Sequence, residues 1–340
     1  MTFLVREQVP MYQYTTLKVG GFAKYFIEVK TLEDLKKVSQ FVKQTDLPFL
    51  VLGGGSNTLF PDDQYPGLVI LNKLIGREYV DRGDGKVVLI CQAGEVLDEV
   101  VEDSVNRGLW GLENLSSIPG TVGATPVQNV GAYGVEVSDL ITGVETYNIV
   151  NGSTYFLDSN ACLFGYRDSF FKSVEGKNHI ITKVHFGLGI KPNPKINYAD
   201  LAKFFINHKP SQLEVRNAII SIRANKFPNW HEVGTAGSFF KNPLIDKEQA
   251  DLLKVRYPEL PLYETTDGRV KVSLGYILDK ICHLKGYRKG NVGLYTEQAL
   301  VLVNYGEKNS EEIKNFVDEI IERVFFETKI IIKPEVCFIN

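Results

Sequence analysis

The 340-residue chain is predicted to be an α+β protein built in two parts. Three observations support this prediction. Strand-like runs separated by glycine-rich loops dominate the chain up to about residue 190. A connector rich in Pro and Asn follows at residues 191–205. The remainder alternates amphipathic helical patterns with short apolar runs, which is typical of a compact α+β unit.

The first part contains two clear helical patterns. Residues 31–48 carry an apolar stripe at helical spacing behind Thr31, a good N-cap residue. Residues 95–108 predict a second helix that ends at Gly108. The run FLVL after the first helix predicts a buried strand entering a glycine loop, and residues 87–94 predict another strand.

The second part contains three predicted helices, at residues 213–227, 273–286 and 310–329. The last of them has a continuous apolar face. Residues 298–304 and 330–339 predict strands. These patterns predict a first domain at residues 1–190, with subdomains of about 1–70 and 71–190. A linker follows at 191–212, and a second domain covers 213–340.

Composition excludes several classes of protein. A net charge of −3 and a pI near 6.0 argue against nucleic-acid binding. The four cysteines form no CxxC or Cys/His cluster, so we expect no metal site and a reducing, cytoplasmic setting. The N-terminus lacks the apolar core of a signal peptide, and no run reaches the ~18 apolar residues of a membrane span. No apolar helix face is left over in the pattern, so we expect a monomer.

The segment VLGGGSNTL places three glycines, Gly53 to Gly55, directly after an apolar strand. Glycines allow close approach of a ligand, and successive backbone N–H groups can bind a phosphate. The segment is neither a P-loop, because no Gly-Lys-Ser/Thr follows, nor a dinucleotide-binding GxGxxG motif. A simple tight turn is the alternative interpretation.

A second glycine-rich stretch, residues 111–134, has Glu113 as its only charged residue. Such a neutral segment can surround a large ligand with backbone donors, although it can also be a long structural loop. Arg167, in GYRDS, needs an anionic partner or carbonyl oxygens; the partner is Asp168, another acid of the fold, or a substrate carboxylate.

Three other sites leave alternatives open. Ser238, in GTAGSFFKNP, is either a turn residue or a hydroxyl presented to a dry cavity beside two phenylalanines. Glu335 lies in an apolar run, either exposed at an edge or held in a cleft. Arg223 and Lys226, three residues apart on a helix, can face phosphates or water.

The motifs GGGSN, IPGTVGATPVQNVGAYG, GYRDS, GSFFKNP and PEVCFI, in this order, resemble the UDP-N-acetylenolpyruvoylglucosamine reductase family. The resemblance runs from about residue 16 to residue 339. It implies a flavin-binding module of the vanillyl-alcohol-oxidase (PCMH) type followed by the family's C-terminal α+β substrate domain. It also implies non-covalent FAD, NADPH as reductant and UDP-N-acetylglucosamine enolpyruvate as substrate, reduced to UDP-N-acetylmuramate for peptidoglycan synthesis.

The resemblance also implies roles for individual residues. Ser238 matches the family's general acid, which protonates C2 of the substrate, while Arg167 and Glu335 match residues that stabilise the enolate. The implied FAD contacts are Gly53, Gly54, Gly55, Ser56, Asn57, Thr58, Pro119, Gly120, Gly123, Ala124, Thr125, Gly131 and Arg223. The implied substrate contacts are Tyr133, Tyr198, Lys226, Asn242, Tyr263 and Gln298, with Tyr198 in a loop that closes over substrate.

Two other functions compete with the reductase. A flavin oxidase built on the same module would use O₂ and would not need the GSFFKNP and PEV segments together. A non-catalytic binder of nucleotide sugars could dispense with Arg167, Ser238 and Glu335. Covalent flavin is not expected, because no His precedes residue 179 and Cys91 lies in a strand pattern.

Overall fold

The computed structural model describes residues 4–339 and divides them into two compact units. The first unit comprises the described residues of 1–9, 23–55 and 66–223. The second comprises the described residues of 10–22, 56–65 and 224–340. The predicted linker at 191–212 thus lies inside the first unit, and two N-terminal segments belong to the second.

The first unit contains two sheets. One sheet has four strands in the spatial order Arg6–Pro10, Phe22–Val29, Tyr65–Asn72, Phe49–Leu52, the last two being parallel. The other is an antiparallel sheet in the order Thr154–Asp158, Ile141–Asn148, His179–Gly189, Lys86–Gln92, Arg77–Asp81. A short hairpin pairs Gly131–Ala132 with Val135–Glu136.

Four α-helices flank these sheets, at Leu32–Thr45, Leu97–Asn106, Ala199–Ala202 and Gln212–Lys226. Single 3-10 turns lie at Glu113–Leu115, Val122–Ala124, Val137–Asp139, Phe170–Lys172 and Gly176–Asn178. One apolar core joins the antiparallel sheet to the helix Leu97–Asn106, and a second packs the helix Leu32–Thr45 on the mixed sheet.

The second unit is built around a four-stranded antiparallel sheet in the order Gly234–Ser238, Val301–Asn304, Val292–Leu294, Arg288–Lys289. A smaller sheet has the order Leu244–Ile245, Val270–Val272, Leu262–Glu264. Thr58–Leu59 pairs in parallel with Cys337–Phe338. The helices are Lys247–Arg256, Leu274–Tyr276 and Ser310–Thr328, preceded by a 3-10 turn at Met11–Tyr14.

The predicted α+β class is confirmed, and most predicted elements form with ends shifted by a few residues. The helix predicted at 273–286 is shorter than expected. It runs as one α-helical turn into a π-helix at Ile277–Ile281 and stops, because His283 has a left-handed backbone with φ of 53°.

The strand predicted at 330–339 is largely wrong. Only Cys337–Phe338 is a strand, and Pro334 forms an isolated bridge with Phe240. Proline has no backbone N–H to donate, which interrupts the ladder at this point. Among the described residues, no helix is long and apolar enough to cross a membrane.

The start of the helix Leu32–Thr45 is a capping box. The Thr31 hydroxyl accepts the Asp34 N–H at 3.1 Å, and the Asp34 carboxylate accepts the Thr31 N–H at 3.0 Å. The sequence prediction of Thr31 as cap is therefore confirmed.

We predict that Thr31→Ala lowers the free energy of unfolding by about 1 kcal/mol, because one backbone donor loses its partner. Thr31→Ser keeps the hydroxyl and serves as the control. Chemical denaturation of the two variants checks this, and equal stability of Thr31→Ala and the wild type would contradict the capping role.

Candidate functional site

Two glycine segments meet in the first unit. The strand Phe49–Leu52 leads into Gly53 and Gly54, and a Cβ atom placed on Gly54 would lie 2.8 Å from the Gly120 Cα atom. A Cβ atom on Gly53 would collide with the hydroxyl of Thr121. The two backbones therefore lie in direct contact at Gly54 and Gly120, and a side chain at 54 would force them apart, whereas one at 53 would displace the Thr121 side chain.

The second of these segments is tied to the antiparallel sheet by its own backbone. The Val122 N–H donates to Glu95 O at 2.9 Å, and the Gly123 N–H donates to Ala93 O at 2.8 Å. The N–H groups of Ala124 and Thr125 close the 3-10 turn. Because these donors already bind protein carbonyls, we expect this segment to contact a ligand by close approach and by side-chain hydroxyls.

The hydroxyl of Thr121 is a candidate ligand group that the sequence analysis missed. Thr121 is 8% exposed, and its Oγ1 has no hydrogen-bond partner among residues 4–339. A buried hydroxyl without a partner is destabilising. Its place next to Gly53 makes it a fitting donor for a polar group on a ligand that lies alongside the two segments. The signal in the sequence was its position inside the PGT motif.

Residues 56–58, predicted as flavin contacts, belong to the second unit, whereas Gly53 to Gly55 belong to the first. The Asn57 side chain donates to Glu335 O at 3.1 Å, and the Cys337 N–H donates to Asn57 O at 3.0 Å. Thr58 pairs with Cys337. The structure therefore brings the SNT part of the motif to the C-terminal segment that carries Glu335.

Ser238 is the last residue of the strand Gly234–Ser238 and follows a bulge. The register against Val301–Asn304 shifts between Thr235 and Ser238, and Gly237 has a left-handed φ of 71°. Phe239 and Phe240 are fully buried, so the predicted apolar anchors are present. A bulge of this kind bends the strand and can change the direction in which the next side chain points.

The backbone also brings Ser238 and Glu335 to neighbouring positions. The Glu335 N–H donates to Phe239 O at 2.7 Å, and the Lys241 N–H donates to Lys333 O at 3.0 Å. Ser238 and Glu335 are each part-buried. Two of the three predicted catalytic residues thus occur on adjacent segments of the second unit.

Arg167 belongs to the first unit and has a left-handed backbone, with φ of 54°. Its guanidinium donates to Gly131 O at 3.0 Å and to Asn129 O at 3.3 Å, and lies 3.8 Å from the carboxylate of Glu136. Two carbonyl oxygens and Glu136, another acid of the fold, are therefore among its partners. Gly131, predicted as a flavin contact, here helps to hold Arg167.

The remaining residues of the first unit form a small network. The rings of Tyr133 and Tyr198 meet edge to face at 5.5 Å, with Tyr133 buried and Tyr198 half-exposed. Arg223 hydrogen-bonds the Tyr133 side chain and donates to Ser117 O at 3.1 Å. Burial raises the pKa of Tyr133, which keeps its hydroxyl protonated at neutral pH.

In the second unit, two predicted substrate contacts also hold the local backbone. The Asn242 side-chain oxygen accepts the Leu274 N–H at 3.0 Å, and that of Gln298 accepts the Leu300 N–H at 3.3 Å. Tyr263 is exposed on the strand Leu262–Glu264, and Lys226 is the last residue of its helix. The hydrogen bonds to Leu274 and Leu300 fix the directions in which the side-chain amides of Asn242 and Gln298 point.

The cysteines of the first unit are unsuited to covalent attachment of a flavin. Cys91 and Cys162 are fully buried, and burial raises the pKa of each thiol to about 12. A thiol that stays protonated at neutral pH is a poor nucleophile. We call the adjoining segments at Gly53–Gly54 and Gly120 the glycine cradle. This cradle and the Thr121 hydroxyl that lacks a partner fit a cofactor held without a covalent bond.

Comparison with known proteins agrees with this fold. Residues 23–157 match the family model of an FAD-binding domain, and residues 229–339 match the model of the UDP-N-acetylenolpyruvoylglucosamine reductase C-terminal domain. Proteins named UDP-N-acetylenolpyruvoylglucosamine reductase from Chromobacterium violaceum and Bacteroides fragilis are each 38% identical, over 98% of this chain and 99% and 100% of their own. The crystal structure of the Thermus caldophilus reductase (MurB) has a TM-score of 0.69 at 26% identity and full coverage of both chains.

The chain is thus an FAD-dependent oxidoreductase, with a flavin-binding module followed by a C-terminal domain, as predicted. It belongs to the UDP-N-acetylenolpyruvoylglucosamine reductase family.

We predict that Gly54→Ala weakens FAD binding at least about tenfold, or ~1.4 kcal/mol, because its methyl group would push Gly120 away. Gly189→Ala is the matched control, since a Cβ atom there meets its nearest neighbour at an ordinary 3.8 Å. Release of FAD on dilution of each holoenzyme, followed by flavin fluorescence, gives the two dissociation constants. Equal values for the two variants would contradict the cradle.

Proposed function

We propose that this protein reduces UDP-N-acetylglucosamine enolpyruvate to UDP-N-acetylmuramate with NADPH as reductant, in the synthesis of peptidoglycan precursors. FAD, when bound, would supply the hydride that adds to C3 of the enolpyruvyl group. The observation that carries the proposal is the pairing of the Ser238 and Glu335 segments through Phe239 O and Glu335 N, in a chain of this family.

Ser238 would deliver the proton to C2. Addition of hydride at C3 leaves negative charge at C2, spread into the adjacent carboxylate. A serine hydroxyl is a weak acid, but this enolate is a strong base in a site with little water. The buried rings of Phe239 and Phe240 support such a role, because they fix the backbone on which Ser238 sits.

Arg167 and Glu335 would stabilise the enolate before it is protonated. A guanidinium can grip a carboxylate with two parallel hydrogen bonds. The carbonyls of Asn129 and Gly131 already orient the Arg167 guanidinium, so this group needs little reorganisation at the moment of reaction. Glu335 would share a proton with, or polarise, the substrate carboxylate.

The other predicted contacts would bind the remainder of the substrate. Lys226 offers a cation to the diphosphate, and Asn242, Tyr263 and Gln298 offer polar side chains on the second unit. Tyr198, on a half-exposed segment that packs on Tyr133, would close over the substrate. A nucleotide-sugar substrate of this kind places the proposed reaction in the cytoplasm.

We predict that Ser238→Ala loses most of the turnover while Ser238→Cys retains part of it, because a thiol can also donate a proton. Oxidation of NADPH that depends on the enolpyruvyl substrate measures turnover, and FAD content is the control for folding. Equal loss in both variants would contradict the general-acid role.

A second prediction concerns the bulge before Ser238. Gly237→Ala and Gly268→Ala both place a side chain at a left-handed φ, of 71° and 81°, with no close neighbour. Each substitution should lower the free energy of unfolding by about 1–2 kcal/mol. Gly237→Ala should also lower the turnover number, since it redirects Ser238, whereas Gly268→Ala should leave it unchanged. A normal turnover number in Gly237→Ala would contradict the importance of the bulge.

A further inference from the structure

An ion pair between a buried arginine and a half-buried aspartate joins two helices of the first unit. Arg216, on the helix Gln212–Lys226, donates to both carboxylate oxygens of Asp98, at 2.6 and 3.1 Å. Asp98 lies in the first turn of the helix Leu97–Asn106. The Arg216 side chain is only 7% exposed. This two-point geometry fixes the carboxylate far more tightly than a surface ion pair would.

The same carboxylate holds a residue of the second glycine-rich segment. The Ser117 N–H donates to Asp98 Oδ1 at 2.5 Å, and the Ser117 carbonyl accepts from Arg223 Nε at 3.1 Å. Arg216 and Arg223 lie two turns apart on one helix. Asp98 and Arg223 therefore grip Ser117 from both ends of the residue.

Ser117 needs such a grip because its backbone is left-handed, with φ of 60°. This conformation is unfavourable for any residue that has a Cβ atom. Ser117 therefore stays left-handed only while the surrounding contacts hold it there. The strained backbone conformation is confined to Ser117, two residues before Pro119.

The grip on Ser117 also positions Gly120, which faces Gly54. The Leu97 N–H donates to Gly120 O at 3.1 Å, so the first turn of one helix binds the segment at both Ser117 and Gly120. Burial disfavours the charge on Asp98, but the bonds from Arg216 and Ser117 outweigh it and hold the pKa of Asp98 below its usual range. The carboxylate is therefore charged at neutral pH.

We propose that Asp98 and Arg216 are positioning residues for the flavin, which with the Arg223 contact to Ser117 hold the Ser117–Gly120 segment in the conformation that binds the cofactor. The proposal rests on the proposed function as a flavoenzyme and on the implied contact of Pro119 and Gly120 with FAD. Without the grip, Ser117 would relax to a right-handed conformation and the binding-competent state would become a minor population. The apparent dissociation constant for FAD then rises by the inverse of that population.

The test compares Asp98→Asn with Asp103→Asn. Both substitutions remove one carboxylate charge from the same helix, and Asp103 contacts Tyr79 and Arg107 but not Ser117. Release of FAD on dilution of each holoenzyme gives the dissociation constants, and thermal unfolding reports general stability. We expect Asp98→Asn to raise the dissociation constant about tenfold or more and Asp103→Asn to leave it unchanged.

Arg216→Lys is the second variant, because lysine keeps the charge but loses the two-point geometry. It should raise the dissociation constant by a smaller factor than Asp98→Asn, and it decides the question if Asp98→Asn does not fold. A dissociation constant within twofold of that of Asp103→Asn, in whichever variant folds, would overturn the proposal. Failure of the wild type to bind FAD or to reduce the substrate would instead overturn the proposed function.

Discussion

The direct contact between the backbones at Gly54 and Gly120 is the constraint on which the proposed flavin site depends. It requires glycine on one segment and a precise position for the other. The second requirement explains the arrangement around it: backbone bonds to Ala93 and Glu95 anchor one end of the segment, and Asp98 and Arg223 hold the other. The orphaned hydroxyl of Thr121 lies between these anchors.

The second unit solves a comparable problem in a different way. In the proposed reaction, the hydroxyl of Ser238 must point at the reacting carbon while its backbone stays fixed. The bulge at Gly237 turns the strand, and two fully buried phenylalanines after Ser238 prevent it from shifting. The C-terminal segment then adds Glu335 beside the same strand by a backbone bond to Phe239. Precision at one site residue thus comes from packing of its neighbours.

Local signals in the sequence predicted much of the fold and non-local contacts limited the rest. The capping box at Thr31 and the apolar face of the helix Ser310–Thr328 are set by residues three or four apart, so periodicity found them. The strand predicted at 330–339 is interrupted at Pro334, whose missing N–H could be read from the sequence, but the bridge from Pro334 to Phe240, almost a hundred residues away, could not. Such a pairing has no local signature.

The same distinction applies to the candidate site. The glycine motifs and Ser238 could be identified because their residue types are unusual in those positions. The carbonyl partners of Arg167 lie 36 and 38 residues away, so the sequence left the partner of this arginine open. Arg216 lies 118 residues from Asp98, and the sequence gave no sign that the two residues form an ion pair. Thr121 was missed because its lack of a partner is a property of the folded protein alone.

The most direct test of the central claim is an anaerobic half-reaction. The wild-type holoenzyme would be reduced with a stoichiometric amount of NADPH and then mixed with UDP-N-acetylglucosamine enolpyruvate while the visible absorbance of oxidised flavin is recorded. The account predicts rapid return of that absorbance together with formation of UDP-N-acetylmuramate. A flavin that stays reduced until O₂ is admitted would contradict it and would indicate an oxidase.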